Sequence, residues 1–518
     1  MTIIKIMLTR KKLLIFVLLI FAFAFFLCAC SEKLPDTSVN SEPDQNDVEV
    51  SVPEFSSASE AKRALVALTD EKIHKELYTE EWYSQYREIL SQINSLLRSP
   101  PEDENQCISA CTQLYETLLI HKATAQYLRR DVPVVYISCP KEIGREEYVD
   151  ATVRIVDSKD GGNGDIKEDI TIRVRGNSTA VSDKKPYNIK FAEKTSVLGM
   201  PEGRKWCLIA NHFDKTLMRN KLAFDLSASF GDIYAIQSKY CDVYVNGVFK
   251  GNYLICQPVS DGVLGIDTKK GDFIVERIVV LEGENDFFLR GDAGYVFDTP
   301  ERSELSRDEQ REIIKFMQQV DNAVASGNQK EITKLIDLDS FVSAYVIHEV
   351  LKDCDIVTGS TYFYRKNGVL YAGPIWDMDL STGNVSHYYF QDKYHIYNND
   401  SGFGDKSGDS ASGIWAQQEW FYSLMQCNFF RDAAAKKYAE MADEIKNLYS
   451  ENGYIDTLCK AYGESFARNY SDAGWSISAP YCDYEDESPN PTFEGNVTEL
   501  KEWLSRRDMY LRDYFNIK

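Results

Sequence analysis

The chain has 518 residues, 44% of them hydrophobic, and it carries 31 tyrosines and 26 phenylalanines. Such a chain exceeds one ordinary domain and is too apolar for disorder, so two or three structural units with a sizeable core are expected. With 58 basic against 80 acidic residues the net charge is −22, which repels a phosphate backbone and argues against nucleic acid as a partner.

Lys5, Arg10, Lys11 and Lys12 precede an apolar run, Leu13 to Ala29, that ends in Leu27-Cys28-Ala29-Cys30 and a polar Ser-Glu-Lys. A basic start, an apolar middle and small residues at the end form a secretory leader over residues 1–29. The Leu-x-Ala-Cys order resembles a bacterial lipobox. It implies a lipid on Cys30, a membrane partner through that anchor, and an extracytoplasmic body. An uncleaved membrane anchor is the alternative, because the run is nearly long enough to span a bilayer.

Residues 30–59, rich in Ser, Asp, Glu, Asn and Pro, read as a flexible linker. Residues 60–130 turn helical: Trp82, Tyr86, Ile89, Ile93 and Leu96 recur on one face, Ser99-Pro100-Pro101 breaks the run, and a second run follows from Cys107 to Leu128. A helical hairpin without chemistry is expected there. From Asp131 short β-branched and aromatic runs alternate with Gly, Asp, Asn and Lys, which predicts a mostly antiparallel sheet over Val132–Gly283 within a β-rich lobe, residues 131–299. One helix interrupts it, Asp214 to Gly231, with Asp at the start and Gly at the stop. An α-rich lobe, residues 300–518, begins with a Ser306-x-x-Glu309 capping box.

The 12 cysteines include no CxxC pair, so a structural zinc site is not expected. Cys207, Cys241 and Cys256 lie in apolar strand-like runs and read as buried small hydrophobes. Cys107 and Cys111 lie one helical turn apart, and no disulfide framework is expected.

The stretch from Tyr345 to Asn384 stands out. Asp353 and Asp355 follow a helical run; Asp377 and Asp379 follow a hairpin built around Lys366-Asn367-Gly368. A helix end and a strand end can bring these carboxylates to one point, where one accepts a proton and another holds a divalent metal, as phosphoryl transfer needs. They can equally be caps and turn residues. The usual signatures are absent: no GxxxxGK[ST], GxGxxG after a strand, HRD, DFG, HExxH or GxSxG occurs.

What does occur is a fixed order of phrases: Arg175-Gly176-Asn177-Ser178-Thr179, KKPYNIKF from Lys184, WCLIANHFDKTLMRNKLAFDL from Trp206, DVYVNGVFKGNYLICQPV from Asp242, HEVLKDCD from His348 and GPIWDMDLSTGN from Gly373. This series resembles the spore coat protein H (CotH) family of atypical protein kinases over about Val132 to Phe515. The resemblance implies an α+β, protein-kinase-like two-lobed fold, a β-rich lobe and an α-rich lobe, preceded by the helical hairpin. It implies transfer of the γ-phosphoryl group of ATP to Ser or Thr of a surface or spore-coat protein, with Mg2+ or Mn2+. Asp355 matches the catalytic aspartate, Asp377 the metal-binding aspartate, and Asp379 is the second acid of that phrase. Lys190, on the strand after the RGNST loop, is the candidate for the phosphate-contacting lysine. Arg175 and the backbone around Asn177 form either a phosphate-cradling nest or a tight turn. Arg219 is a candidate partner for a carboxylate such as Glu276.

The chain departs from the family pattern where His348 and Asp353 stand for the usual Asn residues and Gln257 for a usual Glu. ATP is also scarce outside a membrane. The rival expectation is therefore a catalytically weak kinase-fold lipoprotein that binds a partner at the cell surface.

Overall fold

The computed structural model describes residues 50–69, 73–157, 165–176, 178–278, 286–289, 294–353, 359–384, 419–481 and 489–517. The expected catalytic Asp355, Asn177, the leader with Cys30, most of the linker, and the long loop after Asn384 lie outside these residues. Among the described residues no helix is long and apolar enough to cross a membrane. The chain divides into two compact units.

The smaller unit is helical and takes in α1 (Ala58–Thr69), the part of α2 (Glu80–Arg98) from Tyr86 onward, and α3 (Glu104–Ala123). The predicted hairpin is thus a three-helix arrangement, in which α3 lies chiefly against α1 rather than α2. Ala61 and Leu65 of α1, Tyr86 and Ile93 of α2, and Cys107, Cys111, Leu118 and His121 of α3 are buried in it. Lys122 Nζ donates to Leu68 O at 2.7 Å, and Asp103 caps α3 by accepting from Gln106 N at 2.8 Å.

The larger unit contains residues 72–85 and everything from Gln126 onward. Its first half is the expected mostly antiparallel sheet, closed into a barrel. The strands are β1 (Val134–Ser138), β2 (Val149–Val156), β3 (Ile166–Val174), β4 (Tyr187–Thr195), β5 (Gly203–Ile209), β6 (Ser238–Val245) and β7 (Val248–Cys256), ordered β1-β2-β3-β4-β5-β7-β6. Every pairing is antiparallel except the closure, where β1 runs parallel to β6 with Val135 opposite Val243. Alternation fills the interior with Val135, Ile155, Ile172, Ile189, Trp206, Leu208 and Ile255.

A second sheet follows, ordered β12-β11-β8-β10-β9, from β8 (Phe273–Ile278), β9 (Phe287–Phe288), β10 (Gly294–Thr299), β11 (Thr361–Lys366) and β12 (Val369–Ala372). Strands from either side of residue 300 meet in it, because β11 pairs with β8. The β11–β12 hairpin is the predicted one: Lys366 opposes Val369, and Asn367 (φ 52°) and Gly368 (φ 87°) supply the positive φ that a two-residue turn requires. One face of this sheet (Phe273, Val275, Phe297 and Phe363) joins the large helical core.

Helix α4 (Arg219–Phe230) is the predicted interrupting helix, and Gly231 ends it in the left-handed conformation. Asp214 serves its start from the preceding turn, where Oδ2 accepts from Arg219 N at 2.7 Å. Helix α5 (Arg307–Ser326) opens on the predicted capping box. After α6 (Gln329–Leu335), α7 (Leu338–Leu351) is buried from Ser340 to its end, as befits a helix apolar on all sides. Around it stand α8 (Glu419–Met425), α9 (Asn428–Glu440), α10 (Ala442–Tyr449), α11 (Tyr454–Ser471) and α12 (Phe493–Tyr514).

Buried polar contacts fasten the barrel to these helices. On β6, Asp242 accepts from Ser465 Oγ at 2.5 Å and Arg468 Nε at 2.9 Å, both from α11. Lys184, fully buried just before β4, donates to Ala210 O at 2.7 Å, Asn252 O at 2.6 Å and Asn469 Oδ1 at 2.8 Å. Three acceptors match the three donors of an ammonium group, although burial lowers its pKa to about 7. Lys184 is therefore a joint of the fold.

Candidate active site

The acidic wall of the site lies on the second sheet. Glu276 on β8 stands between Tyr362 on β11 and Val296 on β10. Asp298 occupies a β-bulge between Phe297 and Thr299, an irregularity that re-aims a side chain; its Oδ2 accepts from Thr299 Oγ1 at 3.0 Å. Ser360 links two of the carboxylates. Its N–H donates to Glu276 Oε1 at 3.0 Å and its hydroxyl donates to Asp377 Oδ2 at 3.0 Å.

Burial pushes Glu276 up to about 7; the Ser360 amide opposes this, while Asp298 and Asp377 add to it. Burial likewise raises Asp298 and Asp377; Arg175 and Ser360 oppose it at Asp377, and Asp353 adds to it there. All three carboxyls thus resist ionisation, Glu276 under the influence of both others.

The facing wall is basic. Arg175 follows β3, its amide donating to Pro186 O at 3.1 Å and its guanidinium lying over the Trp376 ring at 5.1 Å. Trp376 in turn stacks on Phe224 of α4 at 5.7 Å. Burial lowers the Arg175 pKa, but the negative charges of Cys207 and Asp377 outweigh it and leave it raised. At Gly176 (φ 86°) a Cβ would meet Thr179 Oγ1 at 2.3 Å, so the turn requires glycine. Lys190 is exposed on β4, opposite Thr171 on β3 and Lys205 on β5. Lys205 is the cation whose charge acts on Asp298. Sequence reasoning singled out Lys190 and passed over Lys205, because their pairing depends on a register that no local pattern reveals.

Arg219 does not pair with Glu276, contrary to the sequence expectation. Its guanidinium bonds Asp214 Oδ1, and its Nε donates to Thr382 Oγ1 at 2.7 Å and Ser381 O at 3.0 Å. It belongs to a lattice that fixes the acidic loop onto the start of α4. There Met378 N donates to Asn220 Oδ1 at 2.8 Å, Asn384 Nδ2 to Asp379 O at 2.6 Å and to Phe213 O at 2.9 Å. Asp379 is buried at the base of that loop. Lys352, Ser360, Asp377 and Thr382 all adopt positive φ, between 46° and 60°. Thr382 is the strongest outlier because it is β-branched. Its N–H donates to Leu351 O at 2.6 Å, which together with Arg219 holds the strained form. Strain gathered around acidic side chains and held by cross-links is typical of a working site.

Among the described residues no three His, Cys, Asp or Glu side chains form a ready-made metal cage. The family model described as CotH kinase protein matches residues 172–511. The chain is a member of the CotH kinase family. A search of characterised proteins returned no match. The CotH match spans both walls of the site and all of the lattice around Arg219.

Membership gives meaning to the departures from the CotH pattern. His348 and Asp353 touch: His348 Nδ1 lies 3.1 Å from Asp353 Oδ2. These two positions thus form one contact at the end of α7. Gln257 donates through Nε2 to Pro201 O, a bond that an ionised Glu has no proton to make.

Proposed function

We propose that this CotH member is an atypical protein kinase that transfers the γ-phosphoryl group of ATP to a Ser or Thr hydroxyl of a protein substrate at the cell surface or spore coat. The observation that carries this reading is the opposition of Arg175 and Lys205 to Glu276, Asp298 and Asp377, with Ser360 joining the acids. Arg175, Lys205 and Lys190 attract and orient phosphate. Asp377, with Asp379 behind it, is the ligand for Mg2+ or Mn2+, and Glu276 is held in reserve beside it. Asp355 accepts the proton of the attacking hydroxyl, the role implied by its place in the CotH phrase. When bound, the metal neutralises charge that develops on the phosphates.

Glu276 sets the pH dependence. Its folded value of about 7 lies above the ordinary 4.5, so between those values the folded protein holds a proton that the unfolded chain releases. Its contribution to stability is present at low pH and is lost as pH rises through about 7. Cation binding needs the ionised form and strengthens over the same range. Mg–ATP at about 100 times its dissociation constant is expected to stabilise the protein by about 2.7 kcal/mol. The melting shift should be larger at about pH 8 than at about pH 6, and Glu276→Gln should flatten that difference. No shift at millimolar Mg–ATP or Mn–ATP would leave the surface-binding module as the better reading.

Lipid on Cys30 is the proposed anchor, supported by the Leu27-Cys28-Ala29-Cys30 phrase after an apolar run. Cys30→Ser is expected to move the protein from the membrane fraction to the soluble one; retention of lipid label in that variant would defeat the assignment.

A further inference from the structure

Two cysteines that the phosphoryl-transfer reading does not use lie side by side under the basic wall. Cys207 on β5 and Cys256 on β7 are direct partners in the antiparallel ladder, and both are fully buried. Their neighbours Trp206, Leu208 and Ile255 fill the barrel interior, so alternation turns both thiols to the outer face, where they join the other core. Directly opposed residues of an antiparallel pair have Cα atoms roughly 4.5–5.5 Å apart, within the roughly 4.4–6.8 Å that a disulfide spans. Among the other described cysteines, Cys107 and Cys111 share one helix, and Cys139 and Cys241 pack in the barrel interior.

We propose that Cys207 and Cys256 are a cross-strand disulfide site, closed by thiol–disulfide exchange with a small-molecule disulfide or an oxidised dithiol carrier. The surroundings divide the labour of exchange. Cys207 Sγ lies 3.2 Å from Asn188 Oδ1. The hydrogen bond from Cys256 draws the Cys207 thiol down to about 7 against burial, with help from Arg175 and Lys205, while burial keeps Cys256 well above the ordinary range. Cys207 is thus the thiolate that attacks one sulfur of the oxidant RS–SR and expels RS⁻. That RS⁻ takes the proton of Cys256. The Cys256 thiolate then attacks Cys207 sulfur in the mixed disulfide and expels the second RS⁻, which takes up the proton Cys207 gave up. Two cysteine thiols become one disulfide and RS–SR becomes two RSH. Because both sulfurs are buried, exchange belongs to a local opening that leaves β5 paired with β7. The link encloses α4 and β6 and pins the strand pair beneath Arg175.

The test is to refold the full chain with oxidised glutathione, trap thiols with an alkylating reagent in denaturant, and map peptides without reduction. The expected result is a linked pair of peptides carrying Cys207 and Cys256, two hydrogens lighter than the reduced pair. The oxidised protein should also melt higher than the reduced one, and Cys256→Ser should remove both signals. Alkyl label on both cysteines after oxidative refolding, or either one linked to a different cysteine, would overturn the proposal.

Discussion

Asp377→Asn is expected to remove metal-dependent nucleotide binding and to cut phosphoryl transfer by about 10³-fold or more, the scale on which single electrostatic elements act in such sites. Asparagine is a sharper choice than alanine for a structural reason. Residue 377 sits at φ 60°, a conformation that Asn and Asp tolerate and alanine does not. Asn also keeps an acceptor for the Ser360 hydroxyl, which donates to Asp377 Oδ2 at 3.0 Å. The fold should therefore survive, with urea midpoints shifted by no more than about 1 kcal/mol equivalent. Isothermal titration with Mg–ATP, run beside a transfer assay, reads the two effects separately. Asp355→Asn should retain binding and lose transfer. Full Mg–ATP affinity in Asp377→Asn would remove Asp377 from the metal site, whatever happened to transfer.

The parts of this site that were legible in the sequence are those set by local chemistry. Asn367 and Gly368 announce a turn because few residues accept positive φ in succession, and Ser306 with Glu309 announces a helix start because the two satisfy each other's backbone donors. Asp377 and Asp379 were visible because they follow that hairpin directly. What stayed hidden depends on pairing between distant strands. The parallel closure of β1 on β6 leaves no trace in the alternation of either strand, so the barrel reads as an open sheet. Glu276 was named but given the wrong partner: its neighbours Ser360 and Tyr362 come from residues far along the chain. Asp298 was not singled out, since nothing in Phe297-Asp298-Thr299 signals a bulge. Arg219 is an instance of a rule that sequence cannot apply by itself. A cation at a helix start takes the nearest fixed acceptors, here Asp214 and the Thr382 loop, before it reaches across a cleft.

The same α7 that ends at the acidic cluster is held from behind by a buried ion pair, and its loss should be the largest stability effect in the molecule. Arg507 of α12 is 0% exposed and Glu349 of α7 is 2% exposed. Arg507 donates from Nη2 to Glu349 Oε2 at 2.6 Å and from Nε to Glu349 O at 2.7 Å, so one side chain grips both a carboxylate and a helix carbonyl. Removing one partner leaves the other charge in a core that cannot solvate it. Arg507→Met is therefore expected to destabilise the larger unit by about 3–5 kcal/mol. Replacing both groups, Arg507→Met with Glu349→Leu, removes the stranded charge and should recover most of that loss. Urea unfolding of the two single variants and the double variant supplies the cycle. A double variant no more stable than Arg507→Met would mean that the charge was not stranded and that packing of the Arg507 stem carried the effect. Since Lys352 and Asp353 follow directly on α7, loss of this grip should also loosen the acids: Arg507→Met should weaken Mg–ATP binding at temperatures where the fold is still intact. Unchanged nucleotide affinity in a destabilised Arg507→Met protein would show instead that the His348–Asp353 contact and the Thr382–Leu351 hydrogen bond hold the end of α7 without help from α12.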